Sequence, residues 1–407
     1  MVTILMGQTR SQFLAIPNLT RFLLGDDSKV SLAVKTSALQ LKYFVAAERL
    51  ALSLLPLPGG GLAYAVTLPD DPDDLAYIWS IIESDNEIAA LNALLDGKPC
   101  SLHLFNELAV NAASTAVHID GLAELAQELR AGPYLQMTTQ TIPPTLVTEG
   151  FDALHQRDNH GSTGWRLIVE LGREWHQPRS WYHSNAGQAT YLSIFDADDG
   201  AQQEALCLWL TDVFAAEGGA QLNPTVTSDQ GKSRELCDVL LTSDGHSFVI
   251  ESKALAVLNR AKLPSRNDLR GDVIRHIAKA TKQVAGAVRF LRLGYPVRDH
   301  LGNEIDIDRE RPLHLIILVP ELSLLSSSDN LGKAFLTRQI EKTECFVHLL
   351  DPAQLLRVVQ ASSTIARRAS NLTEIAALDW YLRKRLAQAL ELDTPHFDFL
   401  LRIKDDA

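Results

Sequence analysis

Residues 235–253 read ELCDVLLTSDGHSFVIESK, two short apolar arms around a central Asp244-Gly245. Asp-Gly between two such runs is the strongest short-range hairpin signal, since a tight two-residue turn needs positive φ at both central positions. The arms run from Leu236 to Thr242 and from His246 to Lys253. With Asp244-Gly245 as the turn, Ser243 faces His246, and counting outward sets Asp238 directly across from Glu251. Cross-strand neighbours of that kind have Cβ atoms about 5 Å apart. Side chains alternate along a strand, so Glu251 and Lys253 share one face while Ser252 points the other way. The hairpin is therefore expected to deliver two carboxylates and one ammonium to one place.

Two adjacent carboxylates repel each other, and binding a hard divalent cation relieves that repulsion. Oxygen ligands with open water positions suit Mg²⁺ or Mn²⁺, which makes Asp238 and Glu251 the candidate metal ligands. A cation there stabilises charge developing on a phosphate. Lys253 is placed to orient the attacking water or to neutralise the phosphate. Its expected role is electrostatic, and the sequence leaves open whether it is also a base.

This constellation resembles the PD-(D/E)xK nuclease superfamily of restriction-endonuclease-like fold, in which an Asp on one strand and a Glu-x-Lys on the next form the metal site. The match is Asp238, twelve intervening residues, then Glu251-Ser252-Lys253, with Cys237 where the motif's Pro would stand. The resemblance spans roughly residues 200–360. It implies a further acid from the preceding helix, for which Glu204 is the match, and a polar residue from the following helix, matched by Gln283 after Lys282. It also implies a mixed sheet flanked by helices and a Mg²⁺- or Mn²⁺-dependent nuclease, an endonuclease acting on DNA rather than RNA. By the same resemblance, a homo-oligomer and a role in restriction or antiphage defence are expected. One alternative stays open: a catalytically silent nuclease-like module that binds nucleic acid or a partner protein within a larger complex.

Charge supports a phosphate-bearing partner locally. The chain as a whole carries a formal net charge of −12. From Lys253 to Arg292, however, ten Lys or Arg face two acids, a net of +8 that leaves −20 for the remainder. A basic block directly after a metal site suits a phosphate backbone. Arg260, Lys262, Arg266, Arg270, Arg275, Lys279 and Lys282 are the candidate contacts. Asn267 to Leu293 has helical periodicity, with Ile274, Ile277, Ala278, Val284, Val288 and Leu291 as its apolar stripe.

At 407 residues with 46% hydrophobic content, the chain has room for two or three folded domains. The expected class is α/β, the restriction-endonuclease-like core being preceded by an α+β accessory domain. Residues 1–142 form that accessory domain, for partner binding, ligand sensing or self-association. Within it, Leu62 to Leu68 reads as a strand and Asp71-Pro72-Asp73-Asp74 as a helix start continuing through Trp79 and Ile82. A helix spans Glu87 to Leu95, strands cover Leu102–Phe105 and Ala116–Ile119, and a helix runs from Gly121 to Arg130. Residues 143–199 read as a linker and Trp-rich connection, with Trp165, Trp175 and Trp181 near several arginines. These rings either cover a small core or stack on unpaired bases. The nuclease-like core is assigned to 200–365 and a helical extension to 366–407.

Other patterns are excluded. Gly231-Lys232-Ser233 imitates a phosphate-binding loop, but Val226 stands where the first Gly should be and a strand follows. His155 to His160 is read as a polar loop. Cys100, Cys207, Cys237 and Cys345 lie in or beside apolar runs and are expected to be buried thiols of a cytoplasmic protein. No run approaches 18 apolar residues, so no membrane span is expected.

Overall fold

The computed structural model describes residue 5 and residues 7–71, 75–138, 140–156, 164–184, 189–196, 198–215, 219–369, 371–397 and 399. The chain divides into two compact units, the first comprising residues 1–179, 193–195 and 261–265 and the second the rest.

The first unit is built on an eight-stranded mixed sheet. Its strands are β1 (Leu19–Leu24), β2 (Val30–Lys35), β3 (Arg49–Pro56), β4 (Leu62–Thr67), β5 (Tyr77–Ile81), β6 (Cys100–Phe105), β7 (Asn111–Ile119) and β8 (Trp165–Leu171), in the order β1-β2-β6-β7-β8-β3-β4-β5. The helices are α1 (Gly7–Ala15), α2 (Ala38–Ala46), α3 (Asp85–Leu95), α4 (Leu122–Ala131) and α5 (Pro144–Gln156). The larger core joins Phe22, Leu32, Leu52, Tyr64 and Leu102 to α2, α3 and α4, and smaller clusters lie under α1 and α5.

Two expectations fail here. The stretch through Trp79 and Ile82 is strand β5, paired with β4 from Thr67↔Tyr77 to Ala63↔Ile81. Its Tyr-Ile-Trp-Ser-Ile run is rich in residues that fit a pleated surface, and partner pairing outweighs the helical spacing. Residues 72–74 of the expected helix start lie outside the described residues. Residues 143–199 are not a connecting segment either: Pro144 opens α5, a position where its missing N–H is harmless. β8 lies between β7 and β3, burying Leu167 and Val169, so the unit runs on to about residue 179. Trp165 and Trp175 pack against its core, whereas Trp181 is 55% exposed.

The second unit holds the hairpin. Its elements are β9 (Trp181–His183), β10 (Ala189–Tyr191), α6 (Asp199–Thr211), β11 (Ala220–Leu222), β12 (Thr225–Thr227), β13 (Ser233–Glu235), β14 (Val239–Ser243), β15 (His246–Ser252), α7 (Arg266–Arg292), β16 (Val297–Arg298), β17 (His314–Leu318), α8 (Lys333–Thr343), β18 (Phe346–Leu350), α9 (Pro352–Arg368) and α10 (Glu374–Leu392). The main sheet runs β11-β14-β15-β17-β18, with β11, β14 and β15 antiparallel and β15, β17 and β18 parallel. Parallel neighbours need crossovers, and α7 and α8 supply them. A small sheet, β13-β12-β16, stands beside it. The C-terminal helix α10 packs on α9, α8 and β18 of this unit. The Gly231 stretch is the turn between β12 and β13, with Ser228 N donating to the Lys232 carbonyl. All four cysteines are buried and unpaired. No helix among the described residues is long and apolar enough to cross a membrane.

The hairpin register matches the expectation: Ser243 pairs with His246, and the ladder continues to Val239↔Ile250. Asp244 and Gly245 have φ of 49° and 73°, the left-handed values a two-residue turn demands. A Cβ on Gly245 would also meet the Arg311 guanidinium at 3.1 Å. Gly245→Ala should therefore destabilise the protein by about 1–2 kcal/mol, measured by chemical denaturation.

Beneath the sheet, His314 Nε2 donates to Asp379 Oδ1 at 2.9 Å, which leaves its Nδ1 to accept from His348 Nε2 at 3.0 Å. Both imidazoles are thus neutral, and burial holds both below the ordinary histidine range. The unfolded chain binds protons that the folded one does not, so these groups reduce stability as pH falls below about 6.5. A His348→Gln variant should shift the acid-unfolding midpoint to lower pH in a circular-dichroism titration.

Candidate active site

The turn geometry places Asp238 at the foot of β14 and Glu251 near the end of β15. Asp238 is 5% and Glu251 1% exposed. The Asp238 carboxylate accepts from Ser252 N at 2.5 Å, while its carbonyl accepts from Asn223 N at 2.8 Å. Lys253 follows directly after β15, its backbone N donating to the Leu318 carbonyl at 2.8 Å. Its ammonium lies 2.6 Å from Glu251 Oε1 and 3.6 Å from Asp238 Oδ2. The three residues expected to meet do meet.

Two further acids join them. Burial first, then the charges of Asp238 and Glu235, push Glu204 on α6 up to about 7. Glu235, at the end of β13, is raised by burial and by its hydrogen bond and charge interaction with Asp238. Glu251 is pushed up to about 7 by burial and by Asp238, against the opposing pull of Lys253. Burial works to lower Lys253, but Glu251 and Asp238 prevail and hold it above the ordinary lysine value. Glu204 of α6 and Glu235 of β13 thus lie within electrostatic reach of Asp238 and Lys253. Beside Glu204, Gln203 Nε2 donates to Ser252 Oγ at 3.0 Å, fixing α6 against the hairpin.

Helix α7 contributes differently from the expectation. Burial lowers His276 below the ordinary histidine value, Asp272 pulling the other way and Lys253 adding to the fall. The His276 Nδ1 and the Oε1 of Gln283 are buried without a partner among the described residues. Gln283, seven residues on, lies on the same flank of α7 as His276. Much of the basic block is used internally. Arg260 pairs with Asp272 at 2.6 Å, and Arg275 pairs with the same carboxylate. Arg270 grips Asp329 at 2.6 Å and donates to Ser326 and Ser328. Arg266 is also engaged within the chain. Lys262 belongs to residues 261–265 of the first unit, where the Pro264 carbonyl accepts from Tyr43 at 2.7 Å. Lys279 and Lys282 remain exposed. A count of charges along the chain misses this because it cannot pair Arg270 with Asp329, 59 residues away.

Glu235 and His276 were missed for identifiable reasons. Leu236 and Cys237 are not strand, so alternation counted back from Asp238 does not carry Glu235 to the site. The position of His276 needs the packing of α7 on β15, which periodicity alone does not orient.

The acids of the cluster are all carboxylates, and burial together with the charge of neighbouring carboxylates raises Glu204, Glu235 and Glu251. Among the described residues, no group of three or more His, Cys, Asp or Glu side chains is placed to hold a metal ion. That is compatible with Mg²⁺, which takes one or two carboxylates and completes its shell with water.

Comparison with protein-family models, curated proteins and solved structures finds no match to this chain.

Proposed function

We propose that the second unit is a Mg²⁺- or Mn²⁺-dependent nuclease that hydrolyses phosphodiester bonds in DNA. The observation that carries this is the convergence of Asp238, Glu251 and Lys253 at one end of β14 and β15. The mixed order β11-β14-β15-β17-β18, with a hairpin followed by parallel strands, supports reading the unit as restriction-endonuclease-like. Every residue of the cluster belongs to this unit, leaving the first unit for a partner, a ligand or a second copy.

Asp238 and Glu251 would hold the cation, with Glu204 and Glu235 available to complete its surroundings. When bound, the cation supplies positive charge to the phosphate and acidifies water. Lys253 lies between two carboxylates and therefore stays an ammonium, which neutralises a phosphate oxygen and orients the attacking water. Ser252 N fixes Asp238, and Leu318 fixes the Lys253 backbone, so neither group needs to reorganise.

One observation favours the alternative of a silent binding module: Lys253 already stands among the carboxylates, and Glu251 is 1% exposed. The test is cleavage of linear and circular duplex DNA, single-stranded DNA and RNA with Mg²⁺ or Mn²⁺ against EDTA. Metal-dependent cutting of DNA is expected, and cut circles identify an endonuclease. Cutting of RNA alone would reverse the substrate assignment, while DNA binding without cutting under every condition would favour the silent module.

A further inference from the structure

Helix α7 divides around its circumference into three parts. Its core side buries Val273, Ile277, Ala280, Val284, Ala287 and Leu291. At about 100° per residue, Arg275, Lys279, Lys282 and Arg289 lie within an arc of about 80° on the opposite side, and all four are exposed. Asp272, His276 and Gln283 occupy the flank between, and His276 there feels the charge of Lys253. The basic stripe thus borders the side of the helix that faces the carboxylate cluster.

Arg275 is committed to Asp272, but Lys279, Lys282 and Arg289 form no ion pair among the described residues. Arg234 of β13, next to Glu235 in the chain, extends the stripe: its guanidinium lies 4.9 Å and that of Arg289 5.4 Å from the centre of the Phe290 ring. Two guanidiniums thus gather on one ring.

A second observation is independent of charge. Gly286 sits in the middle of this arc, between Lys282 and Arg289. Glycine weakens a helix interior relative to alanine. A Cβ at this position would meet no atom within 4 Å among the described residues. The bare backbone leaves open space for a partner to approach α7 closely along the stripe.

We propose that this face of α7, formed by Lys279, Lys282, Arg289 and Arg234 around Gly286, is the docking surface for the phosphate backbone of duplex DNA. A straight helix holds its charges at fixed spacing, and a rigid duplex matches it without the ordering cost of a flexible strand. The inference rests on the nucleic-acid reading of the second unit, but it concerns binding rather than chemistry.

The test is the salt dependence of binding to a short duplex, measured by fluorescence anisotropy on the full chain in EDTA, where cleavage plays no part. Each phosphate contact contributes about −0.9 to the slope of log affinity against log salt. The triple variant Lys279→Gln, Lys282→Gln, Arg289→Gln should lose about 2–3 units of slope while keeping the wild-type melting temperature. Lys98→Gln, on the first unit, should change neither. Gly286→Gln should raise the melting temperature and weaken binding several-fold. An unchanged slope in a folded triple variant overturns the proposal, as does single-stranded RNA or an acidic protein competing as well as the duplex. Loss of slope in a protein that never cleaves would leave this surface standing and remove the catalytic reading instead.

Discussion

Lys253→Ala is expected to lower metal-dependent cleavage by about 10²–10³-fold, the usual loss when one fixed electrostatic group is removed from a reacting centre. DNA affinity in EDTA should change far less, because the proposed docking face lies on α7 and β13. The same substitution leaves the 1% exposed Glu251 without the ammonium at 2.6 Å, so the metal-free variant should also melt lower. Adding Mn²⁺ should restore much of the melting temperature, since a divalent cation rebalances the carboxylates, without restoring the rate. Single-turnover cleavage and thermal melts with and without Mn²⁺ separate the two effects. Recovery of both by Mn²⁺ would reduce Lys253 to a counter-ion.

Glu251→Gln should do the opposite to stability. A carboxyl pushed up to about 7 binds its proton more tightly in the folded state than in the unfolded one. Its contribution is therefore unfavourable above that value and disappears as pH falls through the interval from about 7 to about 4.5. The shift corresponds to about 3 kcal/mol at pH 8. In EDTA at pH 8 the amide variant should be more stable than wild type by up to that amount, and by less than about 1 kcal/mol at pH 5. Denaturant titrations at the two pH values check this. Cleavage should be lost even though the fold is strengthened, the pattern expected where a functional site is held at the expense of stability.

The hairpin was legible because its information is local. Asp244-Gly245 fixes a two-residue turn, the turn fixes the register, and the register carries Asp238 to Glu251. Helix α7 was legible for the same reason, having a periodic apolar face. Strand β5 was not, since Ile78, Trp79 and Ile82 satisfy a helical spacing as well as a strand, and only pairing with β4 decides. Nor was the place of β8 between β7 and β3, which joins residues more than 100 apart in the chain. The basic block shows the same limit in charge: Arg260, Arg270 and Arg275 are structural because Asp272 and Asp329 come to meet them, whereas Lys279 and Lys282 stay exposed. Glu235 and His276 reach the site through a short irregular segment and through helix packing, neither of which leaves a periodic trace.

The most direct test of the carboxylate cluster as a divalent-cation site is Mn²⁺ binding, followed by electron paramagnetic resonance at pH 8, in wild type and in Asp238→Asn. The wild type should bind Mn²⁺ saturably, with affinity falling as pH drops below about 7 and Glu251 takes up its proton, and the variant should bind at least about tenfold more weakly. Equal binding by the two proteins, or none by the wild type, would contradict the cluster's assignment as the metal site.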